Sequence, residues 1–228
     1  WSSDVCSSDL PALPPRPQSR LSAPLAPAEL ALRLALDDDV MARLERYVAM
    51  LVDWQRHLNL VAASTLDDPW RRHVLDSAQL HRHLPAGASS LVDLGSGAGF
   101  PGMVLAIMGG AEVTLVEARQ KKCRFLEAVA AATGTAVTIA PVRAEALAGR
   151  AFDVVTARAV APLDRLLALS SGLVAPGGTC LFLKGERAQR ELTEARARWM
   201  MTVNEHPSLS HTDGVLLEIR DVRARPRG

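Results

Sequence analysis

The stretch Leu91-Val92-Asp93-Leu94-Gly95-Ser96-Gly97-Ala98-Gly99-Phe100-Pro101-Gly102 runs from an apolar strand through a glycine-rich loop to the start of a helix. A buried strand feeding a loop without Cβ atoms, and then a helix N-terminus with free N–H groups, makes a pocket where a ligand can touch backbone. About 20 positions beyond the loop, Glu117 closes a second apolar run, Val113-Thr114-Leu115-Val116-Glu117. An acidic side chain in that geometry accepts the two ribose hydroxyls of an adenosine.

From residue 87 onward, short β-rich runs alternate with helical stretches. The strands are read at Leu91–Leu94, Val113–Glu117, Val137–Ala140, Asp153–Ala157 and Thr179–Leu183, with helices opening near Pro101, Gln120 and Pro162. Such alternation implies a parallel sheet with crossover helices. Val203 and the run Val215–Ile219 suit a terminal antiparallel hairpin at the sheet edge. The fold expected is α/β, Rossmann-like, with a mostly parallel seven-stranded sheet and a small N-terminal helical extension.

Upstream, Val40, Leu44, Tyr47, Val48, Leu51 and Leu58 recur at helical spacing from Asp39 onward, and Asp68-Pro69 reads as a cap and first position of a second helix running to about His83. Residues 11 to 27 hold six prolines, and WSSDVCSSDL before them has no initiator methionine and no periodicity. The chain therefore divides into an artefactual or disordered lead-in over 1–27, a helical extension over 28–86, and a cofactor-binding domain over 87–228.

Composition narrows the function. A hydrophobic content of 48% supplies a core, and no stretch reaches the roughly 18 consecutive apolar residues of a membrane span, so a cytoplasmic protein is expected. Cys6, Cys123 and Cys180 show no CxxC pairing and no histidine at metal-ligand spacing, which suggests neither a disulfide framework nor a metal site. A net charge of +1 and 4% aromatics exclude a dedicated nucleic-acid-binding module, so contact with RNA must come from a local basic patch.

The loop and Glu117 do not by themselves separate S-adenosylmethionine from NAD, because Gly97, Gly99 and Gly102 also satisfy GxGxxG. What separates them is room: a dehydrogenase needs a catalytic domain, and here the Rossmann-like unit uses nearly everything from residue 90 onward. The Pro176-Gly177-Gly178 turn is similar to a recurrent feature of class I methyltransferases.

Over residues 40 to 220 the chain resembles the ribosomal RNA small subunit methyltransferase G family, also called glucose-inhibited division protein B. The likeness rests on Trp54 with Asn59-Leu60-Val61, Arg72-His73-Val74-Leu75-Asp76-Ser77, the run Val92 to Gly102, Lys122 with Arg124-Phe125-Leu126, Arg143-Ala144-Glu145, Ala157-Arg158-Ala159, and Lys184-Gly185. The resemblance implies S-adenosylmethionine as cofactor and methyl transfer to N7 of the guanine named as position 527 of 16S ribosomal RNA. The RNA is expected free or in the small-subunit particle, and the enzyme as a monomer.

Carried over by motif, the cofactor contacts fall on Gly95, Phe100, Ala144, Glu145 and Arg158, to which the residue chemistry adds Gly97 and Glu117. Phe100 stands where the family often has a bulky aliphatic residue, and Glu117 where it has Asp. No catalytic residue is assigned. Arg143, Arg158 and Lys184 end strands on the edge where α/β ligands bind, each readable as a partner of phosphates or of a cofactor carboxylate, or as a surface cation. His73 is read as a structural partner of Asp76 rather than a base. Arg71, Arg72 and Arg82 are read as an RNA-facing patch, and Arg220, Arg223, Arg225 and Arg227 as a second patch or a solvated tail. Two other functions stay open: an NAD-dependent oxidoreductase, and a non-catalytic RNA-binding protein with a vestigial cofactor fold.

Overall fold

A computed structural model describes residues 23–226. Cys6, Arg227 and most of the lead-in lie outside them. The last part of the lead-in does not, and there the expectation fails. Leu25 is buried and its N–H donates to the Asp68 carboxylate at 3.0 Å, and Pro27 opens a helix. An apolar side chain with a core to enter, followed by proline at a first helical position, outweighs the proline-rich composition around it.

The N-terminal part is helical. Helix α1 spans Pro27–Leu34 and α2 spans Asp38–Gln55. Asp37 caps α2 by accepting the Val40 N–H at 2.8 Å, and Asp38 and Asp39 sit in the positive first turn. Met41, Leu44, Tyr47, Val48 and Leu51 form the buried face. Leu58 is not on it: α2 stops at Gln55, whose side-chain oxygen takes the N–H groups of Leu60 and Val61. After Pro69 the chain makes a π-helical turn over Trp70–Leu75, continues as a short helix α3, Asp76–Ala78, and ends in a 3-10 turn over His81–His83. The single regular helix expected from Asp68 to His83 is thus three different windings.

Seven strands follow: β1 Ser90–Leu94, β2 Glu112–Val116, β3 Thr138–Ala140, β4 Phe152–Arg158, β5 Val174–Lys184, β6 Trp199–Pro207 and β7 Val215–Ala224. Their order is β3-β2-β1-β4-β5-β7-β6. The first five are parallel, while β7 enters antiparallel between β5 and β6. Helices α4 Gly102–Met108, α5 Gln120–Thr133 and α6 Leu163–Ser170 are the crossovers. Helix α7, Ala188–Arg196, is an addition to the expected set. Only Ala188, Leu192 and Ala195 of its nine residues are buried, so its apolar stripe is too thin to read.

Each face of the sheet has its own core. On one side Leu44, Tyr47 and Leu51 of α2 pack with Met103 of α4 and with Phe125 and Leu126 of α5; on the other Leu163 and Leu167 of α6 meet Leu192 of α7 and Phe182. The N-terminal helices are therefore part of the main core, and α2 lies directly against α4 and α5.

Candidate functional site

The carboxyl ends of β1, β2, β4 and β5 open onto a cleft of about 1290 Å³, beside the reversal in strand order between β1 and β4 where α/β folds bind ligands. Its floor is the loop after β1, where Gly95, Gly97 and Gly99 all adopt positive φ (+64°, +60° and +99°). Local bonds fix the loop: the Ser96 hydroxyl donates to the Asp93 carbonyl at 2.9 Å, the Ser96 N–H to the Val116 carbonyl at 2.9 Å, and the Gly99 N–H to the Ser96 carbonyl at 2.7 Å. Glu117, buried at the end of β2, accepts the Gly97 N–H at 3.0 Å and the Arg119 N–H at 2.8 Å. The carboxylate thus faces the floor of the cleft with lone pairs left over for further donors.

Beneath the loop, Asp93 is fully buried. Its carboxylate accepts the Thr156 hydroxyl at 2.9 Å and the Gly102 N–H at 3.2 Å, joining β1, β4 and the start of α4. Burial pushes this carboxyl up to about 6, against those hydrogen bonds, which pull it down.

The N-terminal helices hold the loop from the side. The Tyr47 hydroxyl, from α2, donates to the Ala98 carbonyl, and its ring stacks on Phe100 at 5.1 Å. His73, from the π-helical turn, also stacks on Phe100, with ring centroids 4.8 Å apart. The Arg158 guanidinium sits 4.9 Å over the same ring. Phe100 is accordingly 4% exposed: it lines the cleft, but its ring is packed by Tyr47, His73 and Arg158 rather than offered to a ligand.

Arg158 ends β4 and crosses back to the π-helical turn. It donates to the Arg72 carbonyl at 2.9 Å, to the Asp76 carboxylate at 3.1 Å and to His73 Nδ1 at 3.0 Å. A guanidinium only donates, so Nδ1 is an acceptor and the ring proton sits on Nε2, facing the Thr65 hydroxyl at 2.8 Å. Burial, followed by the charges of Arg158 and Arg72, lowers the His73 pKa from 6.5 to about 3. His73 is structural as expected, but Asp76 is not its partner: Arg158 stands between them and bonds both.

Lys184 ends β5, is 9% exposed, pairs with Glu191 of α7 at 2.6 Å and donates to the Ala161 carbonyl at 3.0 Å. Glu191 also accepts the Leu163 N–H at the start of α6, at 2.8 Å. This network pins the loop Ala159–Pro162, whose Val160 methyls would lie 2.9 Å from a Cβ on Gly95.

Of the residues singled out from sequence, Gly95, Gly97, Phe100, Glu117, Arg158 and Lys184 come together around the cleft. Ala144 and Glu145 do not line it: they form a 3-10 turn after β3, and the Glu145 carboxylate faces Arg165 at 3.3 Å. Arg143 is exposed beside them. The patch of Arg71, Arg72 and Arg82 is not one surface. Arg71 is taken by Asp68 at 2.7 Å and by the Ala23 carbonyl at 2.8 Å, Arg82 lies against His83, and only Arg72 reaches the cleft. The cations that do share the mouth with it are Arg119, Lys122, Arg187 and Arg190. Tyr47, read only as core, also braces the glycine loop, which the sequence hid; its sole flag is that it is the chain's one tyrosine.

A parallel sheet with an antiparallel seventh strand inserted before the edge, a glycine floor and an acidic end to β2 define a class I S-adenosylmethionine-dependent methyltransferase. The order departs at its last strands from the parallel 3-2-1-4-5-6 sheet of dinucleotide-binding folds. Two solved structures share the architecture at low identity. A ribosomal protein L11 methylase from Lactobacillus delbrueckii subsp. bulgaricus matches with a TM-score of 0.53 and 16% identity, over 63% of this chain and 77% of that one. The glycopeptide N-methyltransferase MtfA, solved with S-adenosylmethionine, matches with a TM-score of 0.55 and 13% identity, over 64% and 93%.

Closer relatives are found by sequence. The ribosomal RNA small subunit methyltransferase G of Paramagnetospirillum magneticum is 48% identical over 205 residues, covering 89% of this chain and all of that protein. The protein of the same name from Rhodospirillum centenum is 47% identical over 211 residues, covering 92% and 97%. The family model for rRNA small subunit methyltransferase G matches residues 40–218. The chain belongs to the rRNA small subunit methyltransferase G family.

Proposed function

We propose that this enzyme transfers the methyl group of S-adenosylmethionine to N7 of a single guanine in 16S ribosomal RNA, acting in the cytoplasm as a monomer on free RNA or on the small-subunit particle. Membership of the family over nearly the whole cleft-forming region carries this reading. The oxidoreductase reading is not favoured, because the strand order departs from dinucleotide-binding folds and the family match is to methyltransferases, and the vestigial RNA-binding reading is not favoured, because loop, acidic strand end and cleft are all intact.

The residues fit the cofactor. In this reading Gly95 and Gly97 leave room for the adenosyl moiety, Glu117 accepts the ribose hydroxyls, and Arg158 offers the cofactor carboxylate whatever donor its bonds to Asp76, Arg72 and His73 leave free. Ala144 and Glu145, outside the cleft lining, are given no cofactor contact in this reading. When bound, the cofactor supplies an electrophilic methyl on a sulfonium. The loop Ala159–Pro162, braced by Lys184 and Glu191, forms the wall against which the guanine is set in line. Arg119, Lys122 and Arg187 at the mouth meet RNA phosphates.

Guanine N7 carries a free lone pair, so no side chain has to remove a proton before transfer. His73 matches that requirement: with Nδ1 taken by Arg158 and its pKa lowered to about 3, it is not a base. The test is to incubate the chain and S-adenosylmethionine with 16S RNA or with small-subunit particles, then digest and map the product by mass spectrometry. One methyl on guanine N7 is expected with at least one of the two substrates. No transfer to either, or binding of NAD in preference to S-adenosylhomocysteine, would contradict the assignment.

A further inference from the structure

Away from the cleft, three side chains with metal-binding atoms converge from segments far apart in sequence. His83 closes the 3-10 turn after α3, His206 lies on β6, and Glu218 lies on β7. The two imidazoles are 4.2 Å apart between centroids, and His206 Nε2 is 3.0 Å from Glu218 Oε2. One ligand atom from each of the three falls within 4.8 Å of the others. None of the three lines the methyl-transfer cleft.

We propose that His83, His206 and Glu218 bind a divalent transition-metal ion of the zinc type, which ties the N-terminal helices to the terminal hairpin. The donor set decides the class of ion. Two imidazole nitrogens and one carboxylate oxygen suit zinc, cobalt or nickel, whereas calcium and magnesium take oxygen ligands.

The surrounding contacts leave the site usable. Arg220 pairs with Glu218 Oε1 at 2.8 Å, which orients the carboxylate and leaves Oε2 for the ion. His83 Nε2 accepts from Arg82 Nε at 3.2 Å, so ligation requires that it present Nδ1 or release this exposed contact. The side chains of Glu218 and His206 are 11% and 31% exposed, which gives a path in from solvent and room for water at a fourth position. Sequence spacing could not signal this set, because residues 83, 206 and 218 meet only through the placement of β7 between β5 and β6. The ion would couple to stability, since the unfolded chain holds no such constellation.

The experiment is a Co²⁺ titration of the tag-free full-length chain, followed by its visible ligand-field absorption and by displacement with Zn²⁺. One equivalent is expected to saturate the band, and Zn²⁺ to raise the melting temperature. His206→Ala and, separately, the isosteric Glu218→Gln should each weaken Co²⁺ binding at least about tenfold and abolish the Zn²⁺ shift. His57→Ala, at an exposed position just beyond the end of α2, should change neither. Binding of S-adenosylhomocysteine by each variant verifies that it is folded. Absence of a band in the parent, or a band that persists at parental affinity in both folded ligand variants, would overturn the proposal.

Discussion

Gly97 and Gly178 are both glycines that resist a side chain, but for different reasons, and replacing each separates binding from folding. Gly97 has φ of +60°, and a Cβ built on it meets nothing nearer than 3.7 Å, so the added carbon points into the open cleft. The cost to the fold of Gly97→Ala is then only the left-handed backbone, about 1–2 kcal/mol. At roughly 2–4 °C per kcal/mol for a chain of this size, the melting temperature should fall by about 2–8 °C. A Cβ on Gly178 instead lies 2.8 Å from the Asp153 carbonyl oxygen and 2.9 Å from a Val174 methyl, at the opposite end of the sheet. Gly178→Ala should cost about 1–3 kcal/mol through overpacking. Thermal melts measure both losses. Titration with S-adenosylhomocysteine well below the melt then divides them: Gly97→Val should bind at least about tenfold more weakly, a change of about 1.4 kcal/mol or more, while Gly178→Ala binds like the parent. A folded Gly97→Val protein with parental affinity would refute the assignment of the loop as the floor of the cofactor site.

Tyr47→Phe keeps the stack on Phe100 but leaves the Ala98 carbonyl without its hydroxyl donor, which should cost about 1–3 kcal/mol in melts or urea titrations and weaken S-adenosylhomocysteine binding severalfold. Asp93 titrates in the folded protein at about 6, above its unfolded value of 3.8, so the stability it contributes is full below pH 3.8 and is lost as pH rises through 6. Relative to Asp93→Asn, the parent should therefore lose about 3 kcal/mol between about pH 4 and 7 in urea unfolding; a difference constant with pH would count against a charged, buried carboxylate. Replacing Arg119, Lys122 and Arg187 by Ala should lower the log–log salt slope of RNA binding by roughly one unit for each phosphate no longer neutralised, with cofactor affinity unchanged. An unchanged slope would move the RNA face elsewhere.

The parallel half of the sheet was legible because Leu91–Leu94, Val113–Glu117 and Asp153–Ala157 are short, mostly apolar runs, and burial on both faces demands that pattern. The same logic exposed the glycine floor and Glu117. Helix α7 was not legible, since most of its side chains are solvated, and with it went Arg187 and Arg190 at the mouth of the cleft. The π-helical turn was missed for another reason. Asp68-Pro69 announces a helix start in any winding, and what stabilises this one is tertiary: Arg158, 86 positions on, takes the Arg72 carbonyl. Likewise nothing local in α2 distinguishes a tyrosine that packs from one that also holds the Ala98 carbonyl. Residues that act across the interface between the helical extension and the sheet carry no spacing signature.

Methyl transfer to a lone pair that needs no deprotonation is the central claim, and the single-turnover rate against pH tests it most directly. With saturating RNA and cofactor, the rate should stay nearly flat between about pH 6 and 9 in the parent. It should also stay flat in folded His73→Ala and in His211→Ala, which removes the exposed histidine at the cleft rim. Digestion of the product should place the methyl on guanine N7 in each case. A rate that climbs tenfold per pH unit and loses that dependence in either variant, or a methyl found on an exocyclic amine or a ribose hydroxyl, would contradict the account.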